Sequence, residues 1–302
     1  GTEKYPLKEV CPKLSAYQNL ALTKFIKETF FYSMFSVLLS LYIKEQPSFL
    51  KQSLDSLLSQ TLQPNEIVLV KDGPLTSELD AIVSDFTKRC ASLKVVALPQ
   101  NQGLGRALNE GLKYCSYDLV ARMDTDDIAK PDRFEKQMEI FRHNPNIDVC
   151  SAWIDEFVDN QHQVIATRKL PERHDEIKVY AQSRCPVNHP VVMFKKSAVI
   201  KAGGYQHFPL FEDYFLWMRM LKSGARFYNI QESLLYFRTS PDMFKRRGGW
   251  KYAMDEFRFQ KVMWSMDMIS GKRFLLNILI RFPVRIAPNR VRSWFYKKAL
   301  RK

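Results

Sequence analysis

The sequence predicts an α/β fold in which a mostly parallel central sheet is flanked by helices and followed by a C-terminal helical extension. Three observations support this prediction. The chain has 302 residues, of which 46% are hydrophobic, so it can bury a large core. Between residues 35 and 123, short apolar runs alternate with helical patterns of ten or more residues, as in parallel βαβ units. Polar side chains follow the apolar runs, at the sheet edge where such folds bind ligands.

The first half of the chain contains four predicted strands separated by helices. In the first helix Leu50, Leu54, Leu57 and Leu58 share one face, which is the pattern of an amphipathic helix. An Asp-Gly-Pro turn signal at residues 72–74 closes the second strand. The predicted strands are Phe35–Leu41, Glu66–Val70, Leu93–Leu98 and Asp118–Met123, and the later helices are Ser77–Cys90 and Leu104–Tyr114.

Beyond residue 145 the alternation becomes irregular. Strands are predicted at Asp148–Phe157, Val164–Thr167, Pro190–Phe194 and Arg226–Ile230, and helices at Glu212–Ser223 and Pro241–Ile269. We therefore expect an α/β domain over residues 34–240 and a C-terminal helical region over 241–302. Residues 1–33 have no counterpart in the alternation and are interpreted as an N-terminal extension, either an amphipathic segment or an addition ahead of a natural start at Met34.

The positive charge of the chain is concentrated at its C-terminus. The net charge is +14, and residues 271–302 carry ten basic residues and no Asp or Glu. Nucleic acid and an anionic membrane are the two partners that such a segment suggests. Apolar and aromatic residues interleave with the cations at Phe274–Ile280 and Trp294–Tyr296, which favours an interfacial membrane helix. We expect no nucleic-acid partner, and RNA binding is the alternative.

Cysteine usage and hydropathy bear on the compartment. The five cysteines are scattered without a CxxC pair, which argues against a disulfide framework or a zinc site and fits a reducing compartment. No cleavable apolar signal is visible at the start, and the apolar stretch from Phe30 to Ile43 is too short to span a bilayer. A cytoplasmic location is therefore expected.

Three carboxylates lie within four residues at the end of the fourth predicted strand: Asp124, Asp126 and Asp127. Such a cluster is costly unless a cation or the solvent relieves the repulsion. Its ligands are oxygens alone, which suits Mg²⁺ or Mn²⁺ better than zinc. The alternative is that Asp126 or Asp127 caps the following helix, which contains Phe134 and Met138. Both interpretations can hold, with different carboxylates.

Several motifs, in order along the chain, resemble the family 2 glycosyltransferases of the GT-A fold. They are the segments FSVLLSLY (35–42), LDSLLSQTLQPNEIVLVKDG (54–73), NQGLGRALNEG (101–111), the DTDD run at 124–127 and FEDYFLW (211–217). The "DGPL" variant at 72–75 and the segment MFKRRGG (243–249) resemble the bacterial branch that builds capsule, exopolysaccharide and O-antigen chains. A dinucleotide-binding fold is rejected, because Gly103 and Gly105 follow the third strand and lack a third glycine at the required spacing.

The resemblance implies a nucleoside-diphosphate-sugar transferase with a defined set of site residues. Donor binding is expected at Ser40, Tyr42, Glu45, Asp72, Asn101, Gly103, Arg106 and Asp124, with Asp72 accepting from a uracil-type N–H. The metal, Mn²⁺ or Mg²⁺, is expected on Asp126 with Asp124 or Asp127. Arg122 is interpreted as a structural partner of a carboxylate. His189, which precedes Pro190 at the start of a predicted strand, is expected near the acceptor or, alternatively, to be a turn histidine bonded to backbone.

The catalytic base is expected in the Glu212-Asp213 pair at the start of a predicted helix. A carboxylate there could instead stabilise the positive end of the helix dipole. By resemblance Asp213 is the base of an inverting transfer and Glu212 orients the acceptor or the loop. The predicted function is metal-dependent inverting transfer of a hexosyl or N-acetylhexosaminyl group, from a UDP-type donor to a glycan hydroxyl on a polyprenyl-diphosphate-linked acceptor. The enzyme is expected to sit peripherally on the inner face of a bacterial membrane through residues 271–302. The alternative is a basic membrane- or nucleic-acid-binding protein with an inactive core.

Overall fold

The computed structural model describes residues 34–240 and 248–286. Its first half matches the predicted alternation to within about two residues at each boundary. The first and fourth strands lie in the middle of the sheet and carry apolar side chains on both faces, as buried parallel strands require. The elements are β1 Phe35–Leu41, α1 Pro47–Leu58, β2 Glu66–Lys71, α2 Ser77–Arg89, β3 Leu93–Ala97, α3 Leu104–Tyr114 and β4 Leu119–Asp124.

The second half builds the other side of the sheet from shorter and less regular elements. They are β5 Ile128–Ala129, α4 Arg133–His143, β6 Val149–Phe157, β7 Ala166–Arg168, α5 His174–Ala181, a 3₁₀ turn at His189–Val191, β8 Met193–Lys195, α6 Lys196–Lys201, α7 Glu212–Lys222, β9 Phe227–Arg238, α8 Trp250–Ser265 and α9 Gly271–Ile286.

Within the described residues the strands form one sheet in the order β3-β2-β1-β4-β8-β6-β9-β5, with β7 added beside β6. Strands β3, β2, β1 and β4 are parallel, and so are β6 and β9. Strands β8, β7 and β5 pair antiparallel with their neighbours. This registration brings the carboxyl ends of β1, β2 and β4 to one edge, where Ser40 of β1 pairs with Asp124 of β4.

The two faces of the sheet bury separate apolar cores. Val37 and Leu39 of β1 face a core shared with α1, α2 and α4, whereas Leu38 faces the core shared with α3 and α7. This alternation follows from the two-residue period of a strand. The helices on each face therefore fix the sheet edge that carries the polar side chains.

Three predicted elements differ from the structure. The predicted strand Pro190–Phe194 is a 3₁₀ turn followed by the short β8, because Pro190 has no amide hydrogen for a ladder. The strand predicted to end at Ile230 continues to Arg238 as β9. The helix predicted over Pro241–Ile269 is α8 from Trp250 to Ser265, and residues 241–247 lie outside the described part of the chain.

Helices α8 and α9 pack against α7 through a third apolar cluster, in which Phe259 stacks on Phe211 with ring centroids 4.8 Å apart. Because α7 belongs to both this cluster and the second core, the predicted domain boundary near residue 240 stays a prediction. Among the described helices, none combines the length and hydropathy needed to cross a bilayer. Residues 1–33 and the end of the basic segment, residues 287–302, lie outside the described part.

Candidate active site

The three predicted metal-binding carboxylates come together at the end of β4. One ligand oxygen from each of Asp124, Asp126 and Asp127 lies within 4.8 Å of the others. Burial and the neighbouring charges of Asp124 and Glu45 raise the pKa of Asp126 to about 7. Burial and the charges of Asp126 and Asp124 raise the pKa of Asp127 well above its ordinary value. A nearby positive charge would therefore stabilise the ionised carboxylates of the cluster.

Each carboxylate of this cluster is held differently. Asp124 forms a bidentate ion pair with Arg122, which confirms the structural role predicted for that arginine. Asp127 is fully buried, and its Oδ1 accepts the backbone N–H of Arg238 at 2.8 Å. The other oxygen of Asp127, Oδ2, is buried and has no hydrogen-bond partner within the described residues. A buried, unpartnered carboxylate oxygen beside Asp126 fits a hard divalent cation.

The alternative that Asp126 or Asp127 caps the following helix is wrong. Helix α4 begins at Arg133, the residue at its N-cap position is Asp132, and the side chain that accepts a backbone N–H of its first turn is Gln60, whose Oε1 lies 3.4 Å from the Phe134 nitrogen. The two carboxylates precede the short β5, and neither is the N-cap residue of α4. Asp127 is used instead to join β4 to the end of β9.

Arg238, at the end of β9, is a site residue that the sequence analysis missed. Its Nε donates to the carbonyl of Asp126 at 2.9 Å, and one of its terminal nitrogens donates to Gln52 Oε1 at 2.7 Å. Its guanidinium also lies over the rings of Phe49 and Phe157, 3.9 and 4.5 Å from their centroids. Arg238 lies more than 100 residues from the carboxylates it holds, and no local motif marks it.

Glu45 lies nearer to the acidic cluster than its predicted role in donor binding suggested. Its Oε2 accepts the hydroxyl of Thr125 at 2.6 Å, and its Oε1 accepts the backbone N–H of Gln46 at 2.8 Å. Burial raises the pKa of Glu45, and the charge of Asp124 adds to that effect. Glu45 thereby ties the loop after β1 to the carboxylate loop after β4.

Asp72 organises the loop between β3 and α3. One carboxylate oxygen accepts the backbone N–H of Gln102 at 2.7 Å, and the other accepts that of Gly103 at 3.0 Å. The side-chain amide of Asn101 donates to the Asp72 carbonyl at 3.3 Å. Gly73 has a φ of +91°, and a Cβ there would lie 2.7 Å from the Asn101 nitrogen, so only glycine fits. Asp72 thus has a structural role beside the predicted contact with a base.

The remaining predicted donor residues lie on the same edge of the sheet. Tyr42 and Asn101 are exposed, as is Arg106 on the first turns of α3. Helix α3 begins after Gly103, whose φ of +86° favours glycine. The predicted donor contacts of Ser40, Tyr42, Glu45, Asp72, Asn101, Gly103, Arg106 and Asp124 stay predictions.

His189 lies in the 3₁₀ turn and is buried against Tyr205 and Trp217. Its Nε2 lies 2.9 Å from the Tyr205 hydroxyl, and its ring centroid lies 5.9 Å from that of Trp217. Burial, reinforced by the charge of Arg122, holds the pKa of His189 well below its ordinary value. The ring is therefore a neutral side chain bonded to another side chain, and the predicted acceptor contact stays a prediction.

Glu212 and Asp213 form the first turn of α7, as predicted, and face different partners. Glu212 Oε1 lies 3.3 Å from His207 Nδ1, and its carboxylate also accepts the backbone N–H of Gly105. Burial raises the pKa of Glu212, although both of these contacts oppose the shift. Asp213 Oδ1 accepts the backbone N–H of Tyr214 at 2.7 Å, and the Cys185 thiol lies 3.9 Å from its Oδ2. Glu212 therefore joins α7 to the start of α3.

A cavity of about 710 Å³ connects these groups. Its wall includes Asp124 from the end of β4, His189 from the 3₁₀ turn, and Glu212 and Asp213 from α7. Helix α9 and strand β7 supply further wall residues, which the sequence analysis did not assign to the site. The cavity thus joins one carboxylate of the acidic cluster to the candidate base, which is the arrangement that a two-substrate transfer needs.

Comparison with known proteins identifies the family. The model of the family described as "Glycosyl transferase family 2" matches residues 36–202. A UDP-Gal:alpha-D-GlcNAc-diphosphoundecaprenol beta-1,3-galactosyltransferase of Escherichia coli is 40% identical over 268 residues, covering 89% of this chain and 97% of that protein. The amylovoran biosynthesis glycosyltransferase AmsE of Erwinia amylovora is 40% identical over 265 residues, covering 88% of this chain and 98% of that protein.

Solved structures share the fold at low sequence identity. Residues 1–349 of S. aureus TarS in complex with UDP-GlcNAc superpose with a TM-score of 0.62 at 16% identity, covering 88% of this chain and 76% of that one. The mannosyltransferase PcManGT of Pyrobaculum calidifontis, in complex with GDP-Man and Mn²⁺, superposes with a TM-score of 0.58 at 13% identity, covering 94% and 84%. The GT-A-like fold predicted from the sequence is confirmed. The chain belongs to glycosyl transferase family 2, and it is a glycosyltransferase.

Proposed function

We propose that this glycosyltransferase moves a sugar from a UDP-type donor to a hydroxyl of a lipid-linked glycan, with inversion at the anomeric carbon and with the help of a divalent cation. The observation that carries the proposal is the cavity that Asp124 and Asp213 line together. The acceptor class is taken from the Escherichia coli relative, whose name specifies a diphosphoundecaprenol-linked GlcNAc. That relative aligns over nearly its whole length, so the acceptor side of its structure has a counterpart here.

The proposed chemistry needs one base. As the acceptor oxygen attacks the anomeric carbon, its proton passes to the Asp213 carboxylate, and the bond to the nucleoside diphosphate breaks with its electron pair on the departing phosphate oxygen. Asp213 is suited to this because it lines the cavity and sits in the first turn of α7. Glu212, which binds the amide of Gly105, would hold α7 against the donor loop.

The departing diphosphate carries negative charge that must be balanced. Asp126, Asp127 and Asp124 would hold Mn²⁺ or Mg²⁺, since Asp127 Oδ2 is buried without a partner among residues 34–240 and 248–286, and Asp126 has a raised pKa. A divalent cation bound there supplies electrostatic stabilisation of the leaving group. Asp124 is already paired with Arg122, so a cation would chiefly stabilise the ionised forms of Asp126 and Asp127.

The nucleotide is proposed to lie across the carboxyl ends of β1 and β2. The exposed side chains of Tyr42, Asn101 and Arg106 surround that edge, and Asp72 fixes the loop beneath it. The exposed Arg106 would approach the diphosphate from the start of α3. Ligands of α/β sheets bind at such strand ends.

Attachment to a membrane surface is part of the proposal, because the acceptor is lipid-linked. Helix α9 exposes Leu275, Leu279 and Ile286, with exposed fractions of 58%, 63% and 45%, and Trp264 of α8 is 47% exposed. A row of exposed apolar side chains beside basic residues is the pattern of an interfacial helix. Arg281 and Arg285 of the same helix face inward to Glu256, so the cations for an anionic leaflet would come from the rest of residues 271–302.

A transfer assay tests the proposal. The purified chain is incubated with a panel of UDP- and GDP-sugars, Mn²⁺ or Mg²⁺, and a synthetic acceptor in which GlcNAc is linked through a diphosphate to an alkyl chain. We expect transfer from a UDP-sugar, inversion in the product by NMR, and loss of transfer in excess EDTA. Full activity in EDTA contradicts the metal role, and transfer from GDP-sugars alone contradicts the donor class.

A further inference from the structure

Three arginines in the wall of the cavity form no ion pair with an acidic residue in the described part of the chain. They are Arg168 on β7, Arg184 after α5 and Arg273 on α9. We infer that they bind the diphosphate of a prenyl-diphosphate-linked acceptor, and that the apolar stripe of α9 beside them receives the start of the prenyl chain. This inference rests on the proposed function and names the acceptor site within it.

These three arginines differ from the other cations of the cavity. Arg122 pairs with Asp124, and both Arg281 and Arg285 pair with Glu256. By contrast, Arg168, Arg184 and Arg273 have no ion pair among the described residues, and the Arg184 guanidinium lies over the Tyr180 ring, 6.0 Å from its centroid. All three are partly buried, so solvent screens them less than surface cations. Planar guanidinium groups bind phosphate oxygens in pairs, which makes an unpaired set of three suitable for a diphosphate.

Helix α9 fixes Arg273 and Arg184 in one wall. Arg273, Asn277 and Arg281 recur every four residues and so share one face of the helix. The buried side-chain amide of Asn277 donates to the Gln182 carbonyl at 2.8 Å, and Arg281 donates to the Ser183 carbonyl. These bonds hold the face that carries Arg273 against the segment that leads into Arg184.

An apolar stripe runs beside this face. Leu276, Ile280 and Val284 also line the cavity, and they are spaced four residues apart along α9. Leu276 and Ile280 are 45% and 52% exposed, so the stripe continues from the cavity toward the surface. A cationic stripe next to an open apolar stripe fits an amphiphile with an anionic head and a hydrocarbon tail.

The sugar donor also carries a diphosphate, and it is therefore the competing ligand for the three arginines. The predicted donor residues at the ends of β1 and β2, such as Tyr42 and Asp72, do not belong to the cavity wall within the described residues. Arg168, Arg184 and Arg273 come instead from β7, the segment after α5 and α9, all in the second half of the chain. The geometry therefore favours the acceptor diphosphate.

Binding of farnesyl diphosphate, compared with farnesol and with UDP plus Mn²⁺, tests the inference in the full chain. We expect farnesyl diphosphate to bind at least tenfold more tightly than farnesol. The double variant Arg184→Gln/Arg273→Gln should lose that preference while its UDP affinity stays within twofold. The matched control Arg142→Gln/Lys201→Gln removes two exposed charges elsewhere on the surface and should change neither affinity. The charge-conserving Arg184→Lys/Arg273→Lys should retain part of the preference, which separates lost charge from misfolding.

Two results overturn the inference: equal binding of farnesyl diphosphate by the Gln variant and the wild type, or an equal fall in UDP affinity, which would assign the arginines to the donor. A transfer assay separates this from the proposed function. With wild-type enzyme that transfers sugar, the Gln variant should raise KM for the diphosphate-linked acceptor at least tenfold and leave KM for a phosphate-free alkyl glycoside of GlcNAc unchanged. If the wild type transfers no sugar and the Gln variant nevertheless loses farnesyl diphosphate binding, the proposed function fails and the anion site stands.

Discussion

At the scale of single residues, the electrostatics of the site depend most on Asp127. It is fully buried, one oxygen bonds the Arg238 backbone, and the other has no partner among the described residues. Burial and the neighbouring carboxylates raise the pKa of Asp127, so its ionised form is costly unless a cation completes it. The sequence predicted the cluster from its composition but offered a helix cap as the alternative. Only the fold, by starting α4 at Arg133, separates these two roles.

Asp126→Asn tests the cation site without reference to turnover. We expect Mn²⁺ to raise the Tm of the wild type by several degrees, since saturation at 100 times Kd contributes about 2.7 kcal/mol. The variant should lose most of that shift because one ligand charge is gone, and transfer should fall about 100-fold, equivalent to about 2.7 kcal/mol in the barrier. Differential scanning fluorimetry with and without Mn²⁺ measures the shift.

Asp132→Asn is the matched control for that experiment. Asp132 lies next to the cluster in sequence but pairs with Lys136 on the surface, at 2.6 Å. It should leave the Mn²⁺-dependent shift unchanged. If wild type and Asp126→Asn respond equally to Mn²⁺, Asp126 is not a ligand.

At the scale of elements, the regular half of the fold could be predicted and the irregular half could not. β1, β2 and β4 are continuous apolar runs with turn signals at their ends, so local patterns define them. β9 was predicted to end at Ile230, and the next two residues, Gln231 and Glu232, are polar and exposed in the structure. In the structure the register against β6 shifts at that point, from Ala152 with Ile230 to Trp153 with Ser233, and the strand continues to Arg238. A bulge of this kind depends on the partner strand, which a local pattern does not contain.

The same difference between local patterns and long-range contacts explains which candidate-site residues could be predicted from the sequence. The carboxylates and Asp213 lie in short recognisable motifs, whereas Arg238, Arg184 and Arg273 reach the site only through long-range packing. The basic segment, residues 271–302, was also interpreted as a single membrane-binding unit because of its ten basic residues. Two of its arginines, Arg281 and Arg285, turn inward to Glu256, which lies on α8 and could not be paired with them from sequence alone.

Glu256, on α8, is one of the residues that attach α9 to α8. Its carboxylate is 3% exposed and pairs with Arg285 at 2.5 Å and with Arg281. Removing one partner from a buried ion pair costs about 3–5 kcal/mol, so Glu256→Gln should lower Tm by several degrees. Glu110→Gln, which breaks an exposed pair with Lys113, should cost at most about 1 kcal/mol.

The effect of Glu256 should depend on pH. Burial raises the pKa of Glu256, but the charges of Arg281 and Arg285 outweigh it, so the net pKa lies below the ordinary value of 4.5. A lowered carboxyl pKa contributes stability above 4.5 that is lost as the pH falls through the lower folded value. The Tm difference between wild type and Glu256→Gln should therefore be full at pH 7 and shrink below about pH 4.5. A difference that is independent of pH would mean that the pair contributes through packing alone.

At the scale of the whole molecule, the exposed apolar face of α9 and the surplus of positive charge point to a membrane surface. The double variant Leu275→Glu/Leu279→Glu should reduce flotation with anionic liposomes at least tenfold, because burial of each leucine contributes about 1.5–3 kcal/mol. Both side chains are more than half exposed, so the fold should tolerate the change. Val179→Glu/Ile200→Glu alters two equally exposed residues on α5 and α6, with fractions of 61% and 62%, and should leave flotation unchanged. Equal flotation by all three proteins would refute membrane attachment through α9.

The central claim is that Asp213 accepts a proton from the acceptor in the cavity it shares with Asp124. A carboxylate at this position could otherwise stabilise the dipole of α7 and nothing more. Asp175 occupies the same position, the second residue, in α5, and it is exposed. Asp175→Asn therefore removes the same charge from the same kind of site, away from the cavity.

The measurement that tests this claim most directly is the rate of sugar transfer by Asp213→Asn, alongside Asp175→Asn and a titration of donor binding. We expect transfer by Asp213→Asn to fall about 10²–10⁴-fold, which is the usual contribution of a general base. Donor affinity should stay within a few-fold of wild type, and Asp175→Asn should keep full activity. Near-normal transfer by a folded Asp213→Asn enzyme, or a product that retains the anomeric configuration of the donor, would contradict it.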